Sequence, residues 1–165
     1  MKKLKIINPA TEEVIREVAE DTETTIAGKF SLLQTGQPQW SAISLQKRIT
    51  CIEKFYALLN EKKEELAKTL TSEMGKPIQQ SYNELNGARN RIKFFIDNSS
   101  KWLADEWITM EGATKEKISY EPLGIIANIS AWNYPYLVGV NVFIPALIGG
   151  NAVFYKPSEY ATLTG

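Results

Sequence analysis

"NISAWNYPYLVGVNVFIPALIGGNAVFYKPSE" spans Asn128–Glu159, and no charged residue lies between Glu121 and Lys156. Such a tract can cross a membrane, fill a core or border a ligand. A spanning helix needs about 20 predominantly apolar residues. Here the tract is interrupted by Pro122, Pro135 and Pro145, by Gly124, Gly139, Gly149 and Gly150, and by Asn128, Asn133, Asn141 and Asn151. A lipid-exposed backbone does not tolerate so many breaks. A core reading fits better. "GIIANIS" is an uninterrupted apolar run, as expected of a strand buried on both faces. "YPYLVGVNVFIPALIGG" reads as a helix kinked at Pro145, and "NAVFYK" as a second buried strand. Strand, helix and strand at this spacing predict a βαβ unit with parallel strands and a right-handed crossover.

Working back towards the N-terminus, "LKIINPA" reads as a strand ending in an Asn-Pro turn, and "EEVIREV" as its hairpin partner. Asp21 and Thr22 are candidate caps for a helix that Gly36-Gln37-Pro38 should end. Its apolar side is small: Ile26, Phe30 and Leu33. From about Ser44 to about Met74, Leu45, Ile49, Ile52, Tyr56, Leu59, Leu66 and Leu70 recur at helical spacings and predict one long helix. "EMGKP" stops it, with Gly75 suited to a left-handed C′ position and Pro77 blocking continuation. A further helix is expected from Ile78 to about Leu103, with Tyr82, Leu85, Ile92, Phe95 and Ile96 towards one side. Its interleaved Lys, Arg and Glu read as a solvated face. "EWITMEGATKEKISYEP" reads as two strands around a polar turn containing Gly112.

Composition removes several classes of function. Nineteen basic residues balance nineteen acidic ones, so there is no electrostatic footprint for nucleic acid. Histidine is absent, which excludes Ser-His-Asp and Cys-His catalysis and His-based metal sites within the chain. Cys51 is the single cysteine, so an internal disulfide and a cysteine metal cluster are both impossible. That usage fits a reducing, cytoplasmic setting. The basic start "MKKLKIINPATEEV" lacks the apolar run of a signal peptide.

In "AWNYP", "PALIGGNAVFY" and "KPSE", with "INPATEEVI", "EMGKP" and "YEPLGII" upstream in the same order, the chain resembles the aldehyde dehydrogenase superfamily. The resemblance covers nearly the whole chain. It implies an α/β architecture: N-terminal hairpin and helices of the cofactor-binding domain over 1–103, an oligomerisation β-ribbon over 104–121, and the first βαβ unit of a Rossmann-like NAD(P)-binding sheet over 122–165. This is an incomplete aldehyde dehydrogenase fold. Oxidation of an aldehyde in this family needs a thiolate to attack the carbonyl, a nicotinamide to accept hydride, and a carboxylate-activated water to release the acid.

By this resemblance Asn133 supplies a side-chain amide to the aldehyde oxygen, a role that preorganised donors fill in oxyanion holes. Read without it, Asn133 is a turn residue before Tyr134-Pro135. The resemblance places the backbone near Ile129 and Ser130, with Trp132, beside the nicotinamide ribose; Trp132 can equally serve packing. Lys156 and Glu159, with Ser158 close by, would hold the adenosine ribose hydroxyls, one donating and the other accepting. The plain alternative for that pair is a surface salt bridge. Glu159 argues for NAD, since a 2′-phosphate would meet its charge, whereas Lys156 argues for NADP, so both remain open. No metal is implied.

Two positions depart from the family pattern: Ala131 stands where Pro is usual before Trp-Asn, and Val142 where many members carry Lys. The nucleophilic cysteine, general-base glutamate and second glycine-rich turn have no counterpart in these residues. Cys51 lies inside "KRITCIEKFYALLN" with nothing nearby to activate a thiol. The expectation is an N-terminal part of an NAD(P)-dependent aldehyde dehydrogenase, homo-oligomeric when whole, acting on a small aldehyde, with neither nucleic acid nor membrane as partner. The competing reading is a truncated, inactive oligomerisation or interaction protein.

Overall fold

The computed structural model describes residues 2–111 and 114–165. Gly112, expected in the ribbon turn, lies outside the described residues. The chain opens with an antiparallel hairpin of β1 (Lys3–Ile7) and β2 (Val14–Ala19), with a register shift between Ile6 and Ile7. Glu12 takes the left-handed region at φ 60° in its turn.

Helix α1 (Glu23–Ser41) starts at the expected cap: Thr22 and Thr25 form a reciprocal capping box, and the Asp21 carboxylate accepts from Thr25 Oγ1 at 2.8 Å. It does not end at Gly36-Pro38 but runs through them to Ser41. A proline inside a helix lacks the N–H that would bond back one turn. Contacts from outside the helix hold its last turn instead. Gln37 Nε2 donates to Gly150 O at 3.1 Å and Trp40 Nε1 to Leu147 O at 2.8 Å.

The long helix expected to Met74 is two, α2 (Leu45–Glu61) and α3 (Lys63–Met74), meeting at Lys62. The hydrogen bonds almost bridge the joint, since Lys62 N donates to Leu58 O and Lys62 O accepts from Leu66 N. The bend reflects packing: α2 lies against both α4 (Ile78–Trp102) and the crossover helix α5 (Pro135–Ile148), whereas α3 lies against α4. Hydrophobic spacing along one helix carries no information on that change of partner. Gly75 caps α3 in the left-handed conformation at φ 69°, as "EMGKP" predicts.

The core joins Ile49, Ile52 and Leu59 of α2, Ala88 and Ile92 of α4, and Val140, Ile144 and Ile148 of α5. Ile92, Ile144 and Ile148 are essentially inaccessible to water. Each such side chain contributes about 1.5–3 kcal/mol of hydrophobic stabilisation. The expected stripe of α4 is confirmed at Leu85 and Ile92, but its charged residues are not all solvated: Glu84 is buried. Among the described residues, no helix is long and apolar enough to cross a membrane.

Strands β3 (Glu106–Thr109) and β4 (Glu116–Ile118) form the expected antiparallel ribbon. The parallel pair is β5 (Ile125–Ile129) and β6 (Ala152–Lys156), connected by α5. Asn151 staples the unit together: its Oδ1 accepts from Gly124 N at 2.9 Å and its Nδ2 donates to Ala146 O at 3.1 Å. Burial of β5 on both faces is not borne out. Asn128 is buried, but Ala127 is exposed and Ile129 is 79% exposed. Among the described residues this sheet has only its two strands, so the outer edge of β5 is unpaired; α5 packs against both strands, and α1 packs mainly against β6 and only lightly against β5.

Candidate active and cofactor site

The site grows from the register of two strands. In the parallel pair Ile129 lies opposite Lys156, and Ser130 N donates to Lys156 O at 2.9 Å. The chain therefore leaves β5 and β6 at the same end, the carboxyl end, where open parallel sheets take ligands. From β5 it passes through Ser130, Ala131, Trp132 and Asn133 into α5. From β6 it passes through Pro157, Ser158 and Glu159 into a short helical turn, in which Ala161 N donates to Ser158 O at 3.1 Å and Gly165 N to Ala161 O at 3.0 Å.

Trp132 and Glu159, one from each segment, line a single cleft of about 470 Å³. Lys5, Ile6, Ile7 and Pro9 of the N-terminal hairpin region, Glu73 and Met74 of α3, and Tyr160 complete its walls. Trp132 is 52% exposed, so core packing does not account for it. Lys156 and Glu159 also border a second cleft of about 560 Å³, shared with β2 and the first turns of α1.

Lys156 Nζ lies 3.3 Å from Glu159 Oε2, with both side chains more than half exposed. Ser158 is buried and its Oγ lies 3.5 Å from the same carboxylate oxygen. The Glu159 backbone amide, and then Lys156, hold the Glu159 carboxyl below the usual glutamate range. It is therefore an anionic acceptor beside a cationic donor throughout the neutral range. Ser130 is buried and its Oγ finds no partner among the described residues, and the same holds for Asn128 Nδ2 on the same strand face. Ile129 points the other way and is open to solvent.

Asn133 is exposed in the turn before α5. Its Oδ1 accepts from Tyr134 N at 3.1 Å, leaving Nδ2 as the group able to donate. Pro135 starts α5 at a position where its missing N–H costs nothing.

Two acidic residues that sequence reasoning passed over hold both turns from below. Glu84 Oε1 accepts from Tyr136 N at 2.9 Å, capping the first turn of α5, and the same carboxylate pairs with Lys76. Glu73, also buried, accepts from Leu163 N at 2.7 Å and from Thr164 N and Thr164 Oγ1 at 2.8 Å. Glu84 thus caps a helix from another element, and Glu73 does the same for the turn at 163–164. Burial, reinforced by the charges of Glu73 and Glu84, pushes the Tyr136 phenol far above its ordinary pKa, so it stays protonated and donates to Leu66 O at 3.0 Å. The signal for Glu84 was available. Ser81, Glu84, Leu85, Ala88 and Ile92 share the three-and-four spacing of one helix face, so a carboxylate falls within the buried stripe.

Cys51 is exposed on α2. Among the described residues no group of histidine, cysteine and acidic side chains could hold a metal ion.

A parallel βαβ unit preceded by packed helices defines the class, an α/β architecture. Comparison with known proteins narrows it: residues 1–165 match the model of the aldehyde dehydrogenase family, and the chain belongs to that family. A probable NADP-dependent succinate-semialdehyde dehydrogenase of Synechocystis is 30% identical over 150 residues, covering 91% of this chain and 33% of that protein. A putative methylmalonate-semialdehyde dehydrogenase of Sinorhizobium meliloti, solved with NAD, superposes with a TM-score of 0.91 at 31% identity, over 99% of this chain and 33% of that one. A glyceraldehyde-3-phosphate dehydrogenase of Methanocaldococcus jannaschii, solved with NADP, gives a TM-score of 0.91 at 27% identity, over 98% and 35% respectively. The chain thus spans about a third of the length of these relatives. Its architecture corresponds to part of the aldehyde dehydrogenase fold.

Proposed function

We propose that this chain supplies one half of the active site of a cytoplasmic, homo-oligomeric NAD(P)-dependent aldehyde dehydrogenase that oxidises a small aldehyde to its acid. Asn133 donates its Nδ2 to the aldehyde oxygen as negative charge gathers there. The backbone of Ile129 and Ser130, with Trp132, flanks the nicotinamide ribose. Lys156 and Glu159 hold the adenosine ribose hydroxyls, with Ser158 fixing the tip. The dinucleotide, when bound, accepts the hydride. This reading takes the attacking thiolate and the general base from outside these 165 residues: Cys51, the single cysteine, sits on α2 and not in the segments that follow β5 and β6.

The observation that carries this reading is the shared cleft of Trp132 and Glu159 at the carboxyl ends of adjacent parallel strands. The residue chemistry also fits the ligand: a carboxylate acceptor and an ammonium donor 3.3 Å apart match a pair of vicinal hydroxyls.

Titration of the ¹⁵N-labelled chain with ADP-ribose, NAD and NADP tests it. Weak binding is expected, with amide shifts concentrated at 129–132 and 156–160, and it should weaken further in Glu159→Ala. Shifts concentrated on the β3–β4 ribbon, or unaltered binding by Glu159→Ala, would overturn the cofactor assignment. The chain alone should show no aldehyde-dependent NAD reduction, and thiol-dependent turnover by it would contradict the division of the active site.

The second reading is an interaction protein without catalysis. The exposed apolar side chains of the ribbon, Trp107, Ile108, Met110 and Ile118, favour it. Absence of any dinucleotide binding together with stable self-association would decide for it.

A further inference from the structure

A donor set on an exposed turn must be held by something if it is to be preorganised. The only bond made by the Asn133 side chain among the described residues is to its neighbour's N–H. The residues following it are gripped from elsewhere. Lys76 Nζ sits over the Tyr134 ring, 4.0 Å from its centroid. Glu84 Oε1 takes the Tyr136 N–H at 2.9 Å. Lys76 and Glu84 are themselves an ion pair, with side chains 15% and 0% exposed. One buried pair thus meets the chain at the first and third residues after Asn133.

Stability does not explain this arrangement. Desolvating two charges costs several kcal/mol per ion, and apolar replacements of buried pairs are often as stable. A neutral amide at position 84 could still accept from Tyr136 N, through a weaker bond. What the charge adds is Lys76: it draws the ammonium to the start of α4, where the cation–π contact with Tyr134 restricts the turn. Gly75, in its left-handed cap, and Pro77, at the N-cap of α4, fix the backbone on either side of Lys76.

We propose that the Lys76–Glu84 pair is a positioning device that sets the orientation of the Asn133 side-chain amide. The proposal rests on reading Asn133 as the donor to the aldehyde oxygen, but its test reads the amide itself.

The test follows the Asn133 side-chain NH₂ resonances in the ¹⁵N-labelled chain and in Lys76→Met, Lys76→Arg and Glu84→Gln. Lys76→Met and Glu84→Gln should each shift these resonances, with the amides of Leu70 and Ile92 unmoved. Lys76→Arg, which keeps both the ion pair and a cation over Tyr134, should restore them. Unmoved Asn133 resonances in Lys76→Met and Glu84→Gln, with displaced Tyr134 and Tyr136 amides, would overturn the proposal. So would failure of Lys76→Arg to restore them. Should Lys76→Met lose its dispersed spectrum, the isosteric Glu84→Gln decides. Loss of fold in both would make the pair a fold determinant and also sink the idea. An Asn133 that responds to the pair but has no part in aldehyde oxidation would defeat only the functional reading, so the two failures are distinct.

Discussion

Asn133 and Glu159 show how differently single residues reveal themselves. Asn133 has no distinguishing burial or charge; the role proposed for it is legible only from "AWNYP" in register with the other motifs. In a complete enzyme containing this chain, Asn133→Ala should lower kcat by about 10²–10³, the usual cost of losing one oxyanion donor. Steady-state NAD(P)H formation checks this, with KM for the dinucleotide changing little. Glu159 makes a claim about pH. Its carboxyl is held low by its own backbone amide and by Lys156, so the ion pair forms above the folded-state pKa and is lost as pH falls through it. Carboxyl ¹³C titration should place Glu159 below an ordinary glutamate, and Lys156→Met should raise it. An unchanged midpoint would show that the 3.3 Å contact is not maintained in solution. Lys76 was hidden, and Glu84, although its spacing places it in the buried stripe, did not reveal its partner. Charged residues on a helix are usually solvated, and periodicity alone does not show which carboxylate faces another helix's unpaired N–H groups.

At the scale of elements, the connections position the site, and two can be tested by stability. Gly150 closes the turn between α5 and β6 at φ 86°, a region where an L-residue is strained. A Cβ there would meet only ordinary contacts, 3.5 Å to Ser41 Cα and 3.6 Å to Arg48 Cζ. The cost of Gly150→Ala is therefore conformational, about 1–2 kcal/mol, measurable by denaturant unfolding. Glu73 is the second case. Its carboxylate accepts three hydrogen bonds from Leu163 and Thr164, and bonds to a charged acceptor are worth about 1.5–3 kcal/mol each. Glu73→Ala should destabilise the chain by at least about 2 kcal/mol and speed hydrogen exchange at 163–164, and unchanged exchange would remove Glu73 as the cap. The same connections explain what was legible. The α3 stop at Gly75, the α4 span and the βαβ unit follow from local chemistry: a left-handed glycine, a proline, and apolar spacing. The run of α1 through Pro38 and the bend at Lys62 do not. Gln37 and Trp40 bond to the far end of α5, more than a hundred residues away, and the α2–α3 bend answers to which helix lies beneath. Arg48 belongs with these, its guanidinium gathering the carbonyls of Ser41, Ile43 and Ile148.

For the whole molecule, the decisive feature is the amount of apolar surface left open. Leu123, just before the two-stranded parallel sheet, is 88% exposed, and Ile129, the last residue of β5, is 79% exposed. Trp107 (48%), Ile108 (56%) and Met110 (61%) lie in and beside the β3–β4 ribbon. Unpaired strand edges and contiguous apolar patches favour association. Two surfaces therefore compete as the means by which the chain associates, and they differ in chemistry. The sheet edge offers backbone donors and acceptors, whereas the ribbon offers large side chains. Sedimentation velocity over a range of concentrations should show self-association of the 165-residue chain. Replacing Ile108 and Met110 together by Glu should shift it towards monomer if the ribbon dominates, because a carboxylate buried without a partner is strongly disfavoured. Replacing Ile129 by Lys should do so if the sheet dominates, as charged residues blunt open strands. The ribbon is the expected answer, since it presents side chains from an element already paired within itself and needs no further strand. A chain that sediments as a monomer at every concentration would contradict both routes and leave the exposed apolar surface without a role in association.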